Sequence, residues 1–219
     1  MVDFYDLAMA SWRTFLLQLL VIPQICQAVQ SPSSCLQQSQ TVQGLATCLD
    51  KFTAPRDFYT PSTYALAQPT ANQRSDWKSV VKSLLEVDGN CSDISLPLSL
   101  QGLYEIEPFK DYCVLYETGT QSGAYLKGWG FMVVPTFRVA VSRSVHISAP
   151  HPGYDLGTVE QAASVFENTG SKSLLVPGRT RNAFLKPSDC IVPVSATQDY
   201  YMTDPAHNNV RFHRSHFVR

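Results

Sequence analysis

Arg143-Ser-Val-His-Ile-Ser-Ala-Pro-His-Pro-Gly153, Tyr154-Asp-Leu-Gly-Thr-Val-Glu-Gln-Ala-Ala-Ser-Val-Phe-Glu-Asn-Thr-Gly170 and Ser171-Lys-Ser-Leu-Leu-Val-Pro177 follow one another without a gap, and their periodicity changes twice. The first stretch closes a β-rich run from Arg138 to Ile147, which breaks sharply at Pro150–Gly153. From Val159 to about Asn168 the pattern is helical. Thr158 and Gln161 stand at the spacing of a capping box, and Gly170 supplies a left-handed stop. Ser173-Leu-Leu-Val-Pro177 then reads as a buried strand. A strand–helix–strand unit needs a crossover, which favours parallel pairing of its two strands.

Outward from this unit, Tyr112-Cys-Val-Leu-Tyr-Glu117 and Gly130-Phe-Met-Val-Val134 are further β-rich runs. Gly119 and Gly123 lie in their connection, so a hairpin-like pair on the flank of the sheet is expected. Between Thr70 and Val87 the residues Trp77, Val80, Val81, Leu84 and Leu85 recur at mostly three- and four-residue intervals, which predicts an amphipathic helix ended by Asp88-Gly89. Residues 29–62, rich in Ser, Gln, Thr and Pro, read as an irregular segment tied down by its cysteines. No internal repeat is present. The expected fold is a single α/β domain over residues 29–219, with a mixed sheet.

The chain has 219 residues, 44% hydrophobic and 16% charged, with a net charge of -1, which describes a folded globule rather than a disordered polymer. Without a basic stripe or a block of like charge, nucleic acid is excluded as an expected partner. Near the N-terminus, Arg13 precedes the apolar run Phe15–Ile22, Pro23 ends it, and Cys26-Gln-Ala28 places small residues for cleavage after Ala28. Residues 1–28 therefore read as a secretory signal peptide. The run is too short for a mature membrane anchor, since a span needs roughly 20 apolar residues. Asp3 and Asp6 fit a signal poorly, and initiation at Met9 removes both.

Six cysteines agree with an oxidising compartment. Cleavage removes Cys26 and leaves Cys35, Cys48, Cys91, Cys113 and Cys190, an odd number. Cys35 with Cys48 and Cys91 with Cys113 close the shortest loops, although four cysteines admit three connectivities. Cys190 is left over. The sequon Asn90-Cys91-Ser92 suits a glycoprotein surface loop.

Chemistry concentrates in His151-Pro-Gly-Tyr-Asp155-Leu-Gly-Thr158, just after a strand, where ligand sites of open α/β sheets gather. A histidine and a carboxylate on one tight turn can converge, and both are zinc ligands. His207, in Thr203-Asp-Pro-Ala-His207, is the candidate third ligand, with Asp204 to orient its ring. Without a metal, the same residues read as a turn, a loop cap and a solvated loop. His146 is an odd number of residues from His151 and reads as a sheet-face histidine. Gly178-Arg-Thr-Arg181 puts two guanidinium groups after the last strand, where Arg179 or Arg181 can fork onto a substrate carboxylate. No Gly-x-Ser-x-Gly, P-loop or dinucleotide fingerprint occurs.

The stretch His151 to Ala162, with His207 later in order, resembles the metal motif of the zinc carboxypeptidase-like hydrolases, most nearly the phage-type poly-γ-glutamate hydrolase branch. The resemblance spans roughly residues 112–212. It implies a zinc-exopeptidase-like fold, one zinc ion held by His151, Asp155 and His207, and attack on an amide bond. It also implies a catalytic glutamate after further strands. Only twelve residues follow His207 and none is Glu, so a C-terminally truncated form with weak or absent turnover is expected, and the leftover Cys190 agrees. The resulting expectation is a secreted, zinc-dependent hydrolase-like protein acting on an amide bond of a peptide or small carboxylate-bearing substrate. The alternative is a non-catalytic secreted disulfide-bearing binding or structural protein.

Overall fold

The structure is a computed structural model that describes residues 31–185. In chain order the elements are α1 Pro32–Gln38, α2 Val42–Asp50, α3 Pro61–Ala67, α4 Ala71–Leu85, β1 Tyr104–Phe109, β2 Tyr112–Glu117, β3 Thr120–Gln121, β4 Ala124–Tyr125, β5 Phe131–Pro135, β6 Arg143–Ser148, α5 Thr158–Thr169 and β7 Ser171–Val176. They form a single mixed α/β domain. Five strands make the main sheet in the order β1-β2-β5-β7-β6, and β3 with β4 makes a separate small ribbon.

The crossover unit takes the expected form, since β6 pairs with β7 in parallel and α5 lies between them in sequence. All other pairings of the main sheet are antiparallel. Gly170 ends α5 in the left-handed region, at φ 58°. The start of α5 differs from the capping-box expectation. Gly157 is the N-cap, at φ 76°, and Thr158 is already helical, its hydroxyl donating to the Asp155 carbonyl at 2.7 Å. The turn before the helix claims this hydroxyl, and the Asp155 carbonyl accepts the Thr158 amide as well, at 3.2 Å.

The sheet separates two cores. Val114, Tyr116, Phe131, Val133, Leu174 and Val176 face α1, α2 and α5. The alternate residues Cys113, Leu115, Met132, Val134 and Leu175 face Trp77, Val80, Val81 and Leu84 of α4. Strands covered on both sides must be apolar on both sides, and β5 is accordingly buried at every position. The β2–β5 pair therefore lies inside the sheet, not on its flank. The flank is β1, whose broken pattern of burial hid it in the sequence. At the other edge, β6 begins at Arg143, because Arg138–Ala140 form a short 3-10 turn.

Residues 31–62 are not irregular. They carry α1, α2 and the start of α3, with α1 opened by a reciprocal Ser31–Ser34 cap and Pro32 in the first turn. Each helix is only two or so turns long, so its polar residues outnumber a narrow apolar stripe. In α2 that stripe is Val42, Leu45, Ala46 and Leu49, all buried. The Cys35–Cys48 disulfide joins α1 to α2, and Cys91–Cys113 joins the segment after α4 to β2. These are the pairings of shortest loop. Asn90 of the sequon is exposed and caps the turn at Cys91–Asp93. Residues 1–28, expected to form a signal peptide, and Cys190, Asp204 and His207 lie outside the described residues. Among the described residues, no helix is long and apolar enough to cross a membrane.

Candidate functional site

Strand directions bring five segments to one end of the sheet: the C-terminal ends of β2, β6 and β7, the loop entering β5, and the Ala54–Tyr59 stretch bridged to Arg179. At the β6 edge of this end, the loop after β6 turns twice. Tyr154 and Asp155 both donate their amides to the His151 carbonyl, and Thr158 donates to that of Asp155. Gly153, at φ 66°, lets the loop pack close; a side chain there would meet the Thr180 methyl at 3.0 Å. This folding carries the side chains of His151 and Asp155 to one point. His151 Nδ1 and Asp155 Oδ2 are 2.9 Å apart, with the imidazole mostly covered and the carboxylate about half exposed.

Both donors have the chemistry of zinc ligands, and the turn holds them side by side without a strained backbone. They therefore fit as two of three ligands. His207, expected as the third ligand, and Asp204, expected to orient its ring, lie outside the described residues. Among the described residues no group of three His, Cys, Asp or Glu side chains gathers as a metal cluster.

The two arginines part company. Arg181 lies over the ring of Tyr154, 4.6 Å from its centroid, which keeps its guanidinium beside the His151–Asp155 loop. Arg179 is only 4% exposed. Its Nε donates to the Gly128 carbonyl at 3.2 Å, and its guanidinium lies over Tyr59 and Tyr64. His146 sits on exposed β6 with Nδ1 2.6 Å from the Ser173 hydroxyl, and desolvation, then Lys172, lowers its pKa. It is a sheet-face histidine away from the loop.

Two carboxylates at this end escaped the reading of the sequence. Glu117 is fully buried and accepts backbone amides of Lys127 at 2.6 Å, Gly128 at 3.2 Å, Trp129 at 2.7 Å and Gly130 at 3.4 Å. Burial pushes its carboxyl up to about 7 against the pull of those four donors. The signal was an acid closing an otherwise apolar strand. Gly130 is indispensable to the nest, since a Cβ there would lie 2.1 Å from the Val176 carbonyl. Asp50, at the end of α2, accepts from the Thr53 hydroxyl at 2.8 Å; burial raises its pKa and nearby Glu160 adds to the rise.

No family model, curated protein or solved structure matches this chain.

Proposed function

We propose that the protein is a metal-dependent, hydrolase-like protein of the secretory pathway, built to act on an amide bond of a carboxylate-bearing substrate, with a zinc-exopeptidase-like arrangement. The observation that carries this reading is the convergence of His151 and Asp155 at 2.9 Å beyond the carboxyl ends of two parallel strands. His151, Asp155 and His207 are the proposed ligands. A zinc ion bound there supplies Lewis acidity and lowers the pKa of a bound water toward about 7. Asp204 orients the His207 ring. Arg181, steadied on Tyr154, meets the substrate carboxylate. Arg179 serves instead as a clamp that holds the Gly128 carbonyl and so the loop entering β5. The two disulfides support passage through an oxidising compartment.

Zinc retained after dialysis tests the reading. Wild type is expected to hold about one ion, and His151→Ala, Asp155→Ala and His207→Ala to lose it. Asp204→Ala is expected to weaken retention by about 10–100-fold, because it acts through the ligand it orients. His146→Ala is expected to leave retention unchanged. Wild type without zinc, or equal losses in His146→Ala and His151→Ala, overturns the ligand set; zinc without turnover of any amide substrate leaves the non-catalytic alternative.

A further inference from the structure

Asn90 and Ser92 are exposed, yet the residue between them is anchored in the core. Asn90 Oδ1 accepts the Ser92 amide at 3.1 Å and caps the short 3-10 turn Cys91–Asp93. The Asn90 carbonyl accepts the Asp93 amide at 3.3 Å, and that of Cys91 accepts the Ile94 amide at 3.2 Å. Cys91 is 2% exposed and is bonded to Cys113, a fully buried residue of β2 inside the sheet. Asn90-Cys91-Ser92 is the sole Asn-x-Ser/Thr triplet of the chain. Its two ends face solvent while its middle is held by a covalent bond.

That arrangement sets two covalent steps against each other. In N-glycosylation the Asn carboxamide Nδ2 attacks the anomeric carbon of an oligosaccharide carried on a lipid diphosphate. An N–C bond forms, the C–O bond to the diphosphate breaks, and the amide proton leaves with the lipid diphosphate. An amide nitrogen is a poor nucleophile, because its lone pair is shared with the carbonyl. A transferase must therefore grip and twist the carboxamide while it holds the hydroxyl two residues on, which needs a chain free to move. In the fold the Asn90 carboxamide is turned back on the Ser92 amide, and Cys91 cannot leave the core. Closing the disulfide ends the opportunity: the Cys91 and Cys113 thiols give two electrons and two protons to the disulfide of a thiol oxidant, which becomes a dithiol. A glycan already in place is tolerated, since Asn90 is exposed.

Chain order gives the glycan a head start. Cys113 follows Cys91 by 22 residues. At about 5–20 residues per second this separation is about 1–4 s of synthesis. Cys35 and Cys48, which are made earlier, pair with each other and do not compete for Cys91. Disulfides form in seconds or longer, a time comparable with the head start. We infer that Asn90 is an N-glycosylation site whose occupancy is decided by a race between glycan transfer and closure of the Cys91–Cys113 disulfide, the folded turn being closed to the transferase. The race presupposes the passage through the secretory pathway proposed above.

The test expresses the full chain in a secreting eukaryotic host and reads the glycosidase-sensitive mass shift on total cell protein, so that variants which fail to fold still count. Wild type is expected as a mixture of chains with one glycan and chains with none, and Asn90→Gln as glycan-free chains alone. Cys113→Ser keeps the sequon and removes the competing bond. It should raise the ratio of occupied to unoccupied chains at least about threefold. Ser92→Thr, which favours transfer without touching the disulfide, should raise the ratio too. Lys51→Asn creates a second sequon that ends at Thr53 and contains no cysteine, on an exposed position, and so reports entry into the compartment by itself. A glycan there and none at Asn90 sinks the inference and leaves the secretory reading standing; a glycan at neither sinks both. Full occupancy in wild type, or the same ratio in wild type and Cys113→Ser, would overturn the race.

Discussion

Glu117 and Asp155 end up at the same end of the sheet, and each is a carboxylate with a close hydrogen-bond partner, yet they are held in opposite ways. Glu117 has no exposed surface and is satisfied by four backbone amides of residues 127–130. Asp155 is about half exposed and is held by one titratable side chain, that of His151. Backbone amides cannot leave a carboxylate without the loop unfolding. An imidazole can turn aside, take a proton or share a metal. The buried acid is thus committed to the fold, and the exposed one is available for chemistry.

The sharpest way to break this contrast is to delete each acid. Glu117→Ala leaves buried amides without acceptors and is expected to cost more than about 3 kcal/mol in urea unfolding. Asp155→Ala, on an exposed loop, should cost less than about 1 kcal/mol. Similar losses would end the distinction.

A second, smaller effect is pH dependence. The folded pKa of Glu117, at about 7, lies above its ordinary value of 4.5, so the native state binds its proton more tightly than the unfolded chain does. The stability contributed by protonated Glu117 is then full below about pH 4.5 and is lost as pH rises through about 7. Thermal midpoints of wild type minus Glu117→Gln should fall across that window and level off above it. Asp50 shifts in the same direction, so the difference between the two proteins, not the raw curve, isolates Glu117. A flat difference would mean that the four amides cancel the effect of desolvation.

The smallest effects concern the loop that carries Asp155. Thr158→Val removes the bond to the Asp155 carbonyl and is expected to cost about 0.5–1.5 kcal/mol. Gln161→Ala should change stability by less than about 0.5 kcal/mol, since no reciprocal cap forms there. A larger loss for Gln161→Ala would restore the capping box.

Local signals determined much of this architecture. The three- and four-residue spacing of Trp77, Val80, Val81 and Leu84 specifies α4, and the change of period around Pro150 and Gly170 specifies the parallel crossover, because side-chain direction alternates differently in helices and strands. Cysteine spacing pointed to the shortest-loop pairs but left three connectivities open, and the structure holds the shortest-loop pairs. The placing of His151 beside Asp155 was legible because one turn contains both. Tertiary structure alone decided the rest. Whether Arg179 faces solvent or a tyrosine pair depends on Tyr59 and Tyr64, more than a hundred residues away in sequence. The partners of Glu117 come from a loop beyond a hairpin, and the exposure of β6 follows from its being last in the sheet, a matter of which strands pair. Such contacts are fixed by packing between distant segments, and no window of neighbouring residues contains them.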